Sequence, residues 1–270
     1  MHRLLLVSLA LACLPAGCNP ELSLQEVQQA LEESAQAEQA LTFADGVVEI
    51  NTHFTIGQAV EAAAEELRAF IQSQLPCAEV TRAGARLTVV YGALPGSCTY
   101  HGQTFSGSHS VEVVSASPGN LVVHHAWDQL QNQRLSLSGT ADVTWSAAEG
   151  SRRVEHQLSW THLEAGHQVT GSGDRTMTAL PGGIAEGIAV EGGRRWESPR
   201  GQWDLDIDGV QVRWVDPVPQ AGSYALETPS GGSLGMAFSR VDADTIRVEV
   251  STGRRSYTFL VNRLGGISPD

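Results

Sequence analysis

The chain contains no lysine: all 17 of its basic residues are arginine. Schiff-base chemistry, a phosphate-loop lysine and a Ser–Lys dyad are therefore excluded, since each needs a primary amine at the reacting centre. Positive charge is also scarce overall. The formal net charge is −13, and an acidic surface repels the phosphate backbone, which excludes nucleic acid as a partner. Long apolar runs are lacking too. The longest, Leu4–Leu14, falls short of the roughly 20 residues a membrane-spanning helix requires. Cysteine is sparse, with four in 270 residues and no CxxC spacing, and neither HExxH nor an HxH ligand pair occurs. A preformed zinc or haem site is not written in the chain.

What is present begins with an export signal. Met1-His2-Arg3 is a basic start, Leu4–Leu14 is a short apolar core, and Ala16-Gly17 are small residues before a cut site. The ending Leu14-Pro15-Ala16-Gly17-Cys18 resembles the bacterial lipobox. Ala16, Gly17 and Cys18 match it, while Pro15 stands where leucine is usual and Leu14 lies one place early. The resemblance implies cleavage before Cys18 and a diacylglycerol, usually with an N-acyl chain, on that cysteine. Two or more chains anchor stably where one binds only marginally. Membrane contact through that lipid is expected, and the sequence names no protein or small-molecule partner. Asn19, in place of the aspartate that resembles an inner-membrane retention signal, points to the outer membrane. With Cys13 lost in the signal and Cys18 acylated, Cys77 and Cys98 remain as a pair expected to form a disulfide in an oxidising compartment. Closing a loop of that length contributes roughly 3 kcal/mol in the loop-entropy description.

The spacing of apolar residues predicts two helices. Ser23 and Glu26 form a capping box ahead of residues 23–41, but the stripe Leu24, Val27, Leu31, Leu41 thins between Ser34 and Gln39. That thinness suggests a solvated spacer between anchor and body. Residues 57–75 keep a full stripe in Val60, Ala63, Ala64, Leu67, Phe70, Ile71 and Leu75, and Pro76 ends it. Cys77 follows at once, so a bridge to Cys98 would staple this helix to the strands. The segment between the helices fits either a loop or a short strand.

From Ala85 onward the period is two. Leu135–Trp145, Val154–His162 and Gln168–Leu180 alternate apolar and polar residues over ten or more positions, separated by turn residues. Pro181–Gly193 is glycine-rich and reads as a loop or weak strand. Asp208-Gly209 suits a two-residue hairpin pairing Ile207 with Val210, Leu205 with Val212, Trp203 with Trp214 and Asp204 with Arg213. Further strands fall around 234–241, 244–251 and 255–262. The expected fold is mainly β: an antiparallel meander of about a dozen long strands with N-terminal helices, one helix covering one face. The expected organisation is a signal peptide over 1–17, an anchor and helical spacer over 18–56, and a helix with a β body over 57–265.

Motifs that carry chemistry elsewhere have simpler readings here. Gly231-Gly232-Ser233-Leu234-Gly235 fits the nucleophile-elbow pattern, but a Thr-Pro-Ser-Gly turn precedes it and a strand-like segment follows. Asp204, Asp206 and Asp208 mimic the start of a calcium loop, yet its twelfth position is Val215. His109, His125, His156 and His162 each share an apolar strand face. Packing explains them, and a metal site would need at least three to converge.

The plan of lipobox, helical segment ending in Leu75-Pro76-Cys77, then a β body carrying Cys98-Thr99-Tyr100-His101-Gly102 resembles uncharacterised lipoproteins of Gram-negative bacteria. It implies no site residues and no cofactor. The function expected is that of a non-enzymatic structural or binding lipoprotein of the envelope. The alternative is a carrier of lipid or another apolar ligand, resembling the half-barrel lipoprotein carriers. The two differ in whether the sheet's apolar face is filled by the 57–75 helix or left as an open lined pocket.

Overall fold

Helix α1 (Leu24–Ile50) opens with the Ser23 capping box: the Glu26 carboxylate accepts from the Ser23 backbone N–H at 2.7 Å, and Ser23 Oγ accepts from the Glu26 N–H at 3.3 Å. A computed structural model describes residues 21–50, 60–100, 102–117, 119–183, 186–213, 221–242, 244–262 and 266–269. Helix α2 (Val60–Gln74) stops ahead of Pro76. Strands follow as β1 (Glu79–Ala83), β2 (Arg86–Tyr91), β3 (Thr99–Tyr100), β4 (Gln103–Thr104), β5 (Ser106–Ser117), β6 (Asn120–Gln131), β7 (Leu135–Ser146) and β8 (Ser151–His162). They continue as β9 (Gln168–Ala179), β10 (Gly187–Ser198), β11 (Gly201–Arg213), β12 (Ala221–Glu227), β13 (Ser233–Arg240), β14 (Thr245–Thr252), β15 (Arg255–Asn262) and β16 (Ile267–Pro269).

Fourteen of these make one antiparallel sheet in chain order, with the β3–β4 ribbon set aside between β2 and β5. The fold is therefore the mainly β meander that strand periodicity anticipates. Each strand lays alternate residues on one buried face. Leu121, Val123, His125 and Trp127 do so on β6; Leu135, Leu137, Ala141 and Val143 on β7; Val154, His156, Leu158 and Trp160 on β8. Cys77 and Cys98 are bridged, with Cα atoms 5.3 Å apart. The bridge closes the segment joining the end of α2 to the β3–β4 ribbon.

Two expectations are corrected. The first concerns Asp208-Gly209. No hairpin closes there: β11 runs straight through, pairing with β10 on one side and β12 on the other. Asp208 and Gly209 together stand opposite the single residue Glu191, with Gly209 at φ +56°. The pair forms a β-bulge whose extra residue takes the left-handed conformation glycine tolerates. A one-residue insertion and a two-residue turn both switch the buried positions from odd to even. Trp203, Leu205 and Ile207 are accordingly buried before the bulge and Val210 after it. Asp204 meets Arg195 rather than Arg213, and Arg213 pairs with Glu186 at 2.9 Å. Trp214 and Val215 lie outside the described residues. Part of the glycine-rich stretch, from Gly187 on, belongs to β10.

The second correction concerns α1. It continues unbroken to Ile50 and is not a solvated spacer. Val27, Ala30, Ala37, Ala40, Phe43, Val47 and Val48 are all almost completely buried. Alanine is the reason a weak apolar stripe suffices, because a side chain this small lets the helix backbone approach the sheet closely. Both helices thus lie on the sheet. Helix α2 buries Ala63, Ala64, Leu67, Ile71 and Leu75 and packs beside β1, β2 and β5. Phe43 of α1 stacks on Phe105 at 5.7 Å, just ahead of β5. Each large apolar side chain so buried contributes about 1.5–3 kcal/mol.

Candidate functional site

The polar chemistry of the interior lies between α1 and the sheet. Arg175 on β9 and Arg194 on β10 occupy inward-facing positions that would ordinarily be apolar, with side chains 9% and 5% exposed. A guanidinium there needs a counter-charge, since an unpaired buried ion costs several kcal/mol. Helix α1 supplies three carboxylates. Arg175 donates to Asp45, Arg194 donates to Glu38, and Arg200 stands 3.4 Å from buried Glu33. Arg194 also lies over the Trp196 ring at 5.4 Å, a cation–π contact. Burial raises the Glu38 carboxyl, but Arg194 and Arg175 outweigh it and hold the group below its ordinary value. His156 sits beside this ladder. Burial first, then the Arg175 charge, push its imidazole down to about 4, so it is neutral at physiological pH. Its ring occupies the space that a side chain at Gly173 would fill: a Cβ there would lie 2.5 Å from His156 Cε1. Burial and the nearby Glu38 charge raise the Tyr224 hydroxyl.

A second interior group lies on β5 and β6. The His109 Nε2 and His125 Nδ1 atoms are 3.1 Å apart, and both rings stack with Trp127 at 5.5 and 5.9 Å. One nitrogen donates to the other, and burial keeps both rings neutral at physiological pH. Burial, with the His124 and Arg152 charges, takes His125 down to about 3, and burial with His125 holds His109 well below its usual value. The structure thus unites two of the four singled-out histidines. His156 belongs to the arginine ladder, and His162 stacks obliquely on His167 at 5.4 Å. Among the described residues, no three His, Cys, Asp or Glu side chains are grouped to hold a metal ion.

The remaining motifs fall in place as structure. Ser233 opens β13 after a Thr228–Gly232 turn closed by two backbone hydrogen bonds, with no helix following. Asp206 and Asp208 point outward and Asp204 is held by Arg195. Cys18 lies outside the described residues.

On the outer face of β7–β11 a trough of about 630 Å³ opens. Ser138, Ser159 and Thr170 form one row across it and Gln157 and Ser172 the next, with Arg195, Glu197 and Gln202 along the far side. Its hydroxyl and amide groups suit hydrogen bonding more than charge pairing. The carboxylate–arginine ladder was absent from the sequence reading, although a signal existed. Arg175 keeps parity with Val169 and Met177 on one strand, and Arg194 with Trp196 on the next; a charge at a core position asks for a partner.

Comparison of the chain with known protein families, with curated proteins and with solved structures finds no match.

Proposed function

We propose that this is a non-enzymatic lipoprotein of the bacterial envelope, held by acyl chains on Cys18 and acting as a structural or binding body. The observation that carries the choice between binding body and lipid carrier is the occupant of the sheet's inner face. Helix α1 lies there, fastened by Asp45, Glu38 and Glu33 to Arg175, Arg194 and Arg200. A carrier of the half-barrel kind needs that face as a lined groove. The Cys77–Cys98 disulfide supports an oxidising compartment outside the cytoplasm, the lipobox-like ending supports lipid attachment, and Asn19 supports the outer membrane.

The deciding experiment is mass spectrometry of the N-terminal peptide of the native protein, paired with fractionation. The reading expects a chain beginning at Cys18 with acyl mass, and a Cys18→Ala variant that leaves the membrane fraction. A mature chain starting elsewhere, or an unmodified Cys18 thiol, overturns it.

A further inference from the structure

The point where the chain enters the body is fixed one short step after Cys18. Leu22 is 2% exposed. Its N–H donates to Thr252 Oγ1 at 3.2 Å, and its carbonyl oxygen accepts from the Tyr257 hydroxyl at 3.5 Å. Its side chain fills the space over Gly232, where a Cβ would come within 2.5 Å of Leu22 Cδ2. Glu21 ahead of it accepts from the Arg254 N–H at 3.3 Å and faces Arg255 at 3.4 Å. Between Cys18 and this docked residue stand only Asn19, Pro20 and Glu21. Four residue steps of fully extended chain reach at most about 15 Å.

That reach dictates which end of the sheet faces the lipid. In a meander, alternate turns lie at the same edge, so the β8–β9, β10–β11, β12–β13 and β14–β15 turns share the edge at which Leu22 docks. Helix α1 ties to this edge as well: Arg200 of the β10–β11 turn stands 3.4 Å from Glu33. This edge exposes Leu24 and Leu163, each 45% accessible, and the half-exposed guanidiniums of Arg200 and Arg255. The opposite edge carries Glu149, Glu186, Asp242 and Asp244 in its turns together with Val241, as accessible as Leu163, while Glu164 follows Leu163 on the near edge.

We infer that the edge around Leu24, Leu163, Arg200 and Arg255 is a membrane-apposed face, held there by the short tether to Cys18, with the opposite edge directed away into the aqueous phase. The inference rests on the lipid anchor at Cys18 and adds the orientation of the body. Its partner is the headgroup layer of the bilayer: leucines suit the acyl boundary and guanidiniums suit lipid phosphates.

The test uses the full lipidated chain in vesicles of phosphatidylethanolamine and phosphatidylglycerol containing headgroup-nitroxide lipid. With Cys18 acylated and Cys77 and Cys98 bridged, Leu163→Cys or Glu149→Cys provides the one free thiol for a fluorophore. A label at 163, on the edge that Leu22 shares, is expected to be quenched about twofold or more, while a label at 149, at the other end of strands twelve residues long, keeps its intensity. Acyl mass on Cys18 is measured on the same samples. Acyl mass present with equal quenching at both sites, or stronger quenching at 149, overturns the orientation while leaving the anchor intact. An unacylated Cys18 overturns the anchor, and the orientation with it.

Discussion

The two helices reach the same sheet by different chemistry. Helix α2 presents a continuous apolar stripe, and its charged residues meet one another at the surface, as Arg68 meets Glu65 at 2.5 Å. Helix α1 has hardly any stripe, yet more of its length is buried, and its carboxylates meet arginines that reach in from the sheet. The difference teaches that amphipathicity reports the partner surface as much as the helix. A helix facing apolar strands must be apolar, whereas one facing strands that carry Arg175 and Arg194 must carry acids to match them.

Chemical denaturation offers ways to break this comparison, taken from the largest expected effect. Phe43→Ala on α1 is expected to lose about 3–5 kcal/mol, at least as much as the 2–5 kcal/mol of Ile71→Ala on α2. A loss under about 1 kcal/mol at Phe43 would make α1 an accessory element. Glu38→Ala is expected to cost about 3 kcal/mol. The reason lies with its partner: the Glu38 side chain is 46% exposed, but Arg194 is only 5% exposed and would be left without its counter-charge. Replacing both Glu38 and Arg194 by methionine should recover most of that loss, and failure to recover would deny the coupling. Breaking the solvent-exposed Arg68–Glu65 pair of α2 should leave the denaturation midpoint nearly unchanged.

Acid sharpens the contrast further, because the buried histidines lie under the sheet and not on α2. His156 and His125 titrate in the fold at about 4 and about 3, against 6.5 in the unfolded chain. Below 6.5 the unfolded state binds the extra proton. Stability is therefore full above that pH and falls as pH drops towards 4 and then 3. Each group contributes up to about 1.4 kcal/mol per pH unit within its window. His156→Gln should flatten the slope between pH 6 and 4, and an unchanged slope there would show that another group titrates. An intermediate effect is expected at the bulge. Gly209→Ala should cost about 1–2 kcal/mol through its left-handed backbone alone, since a Cβ there meets no atom within 4 Å.

Strand positions were legible because one face is buried and the other is wet. The alternation over Leu135–Trp145 and Val154–His162 places β7 to within one residue and β8 to within three. The pairing of Cys77 with Cys98 followed from counting. Asp208-Gly209 misled because a bulge and a tight turn make the same parity change, and only the neighbouring strands decide between them. The helix–sheet ladder was unreadable for a related reason. Its carboxylates and its guanidiniums are separated by more than 100 residues, and no local pattern joins Asp45 to Arg175 or Glu38 to Arg194.

Hydrogen–deuterium exchange of the full chain tests most directly whether α1 is part of the core or a removable cover. If it is core, the amides of residues 27–48 exchange only with the strands they lie on, as slowly as those of β7–β9. Exchange of that stretch within seconds, while β7–β9 stay protected, would contradict this. It would show the inner face opening as a groove and return the carrier of apolar ligands to first place.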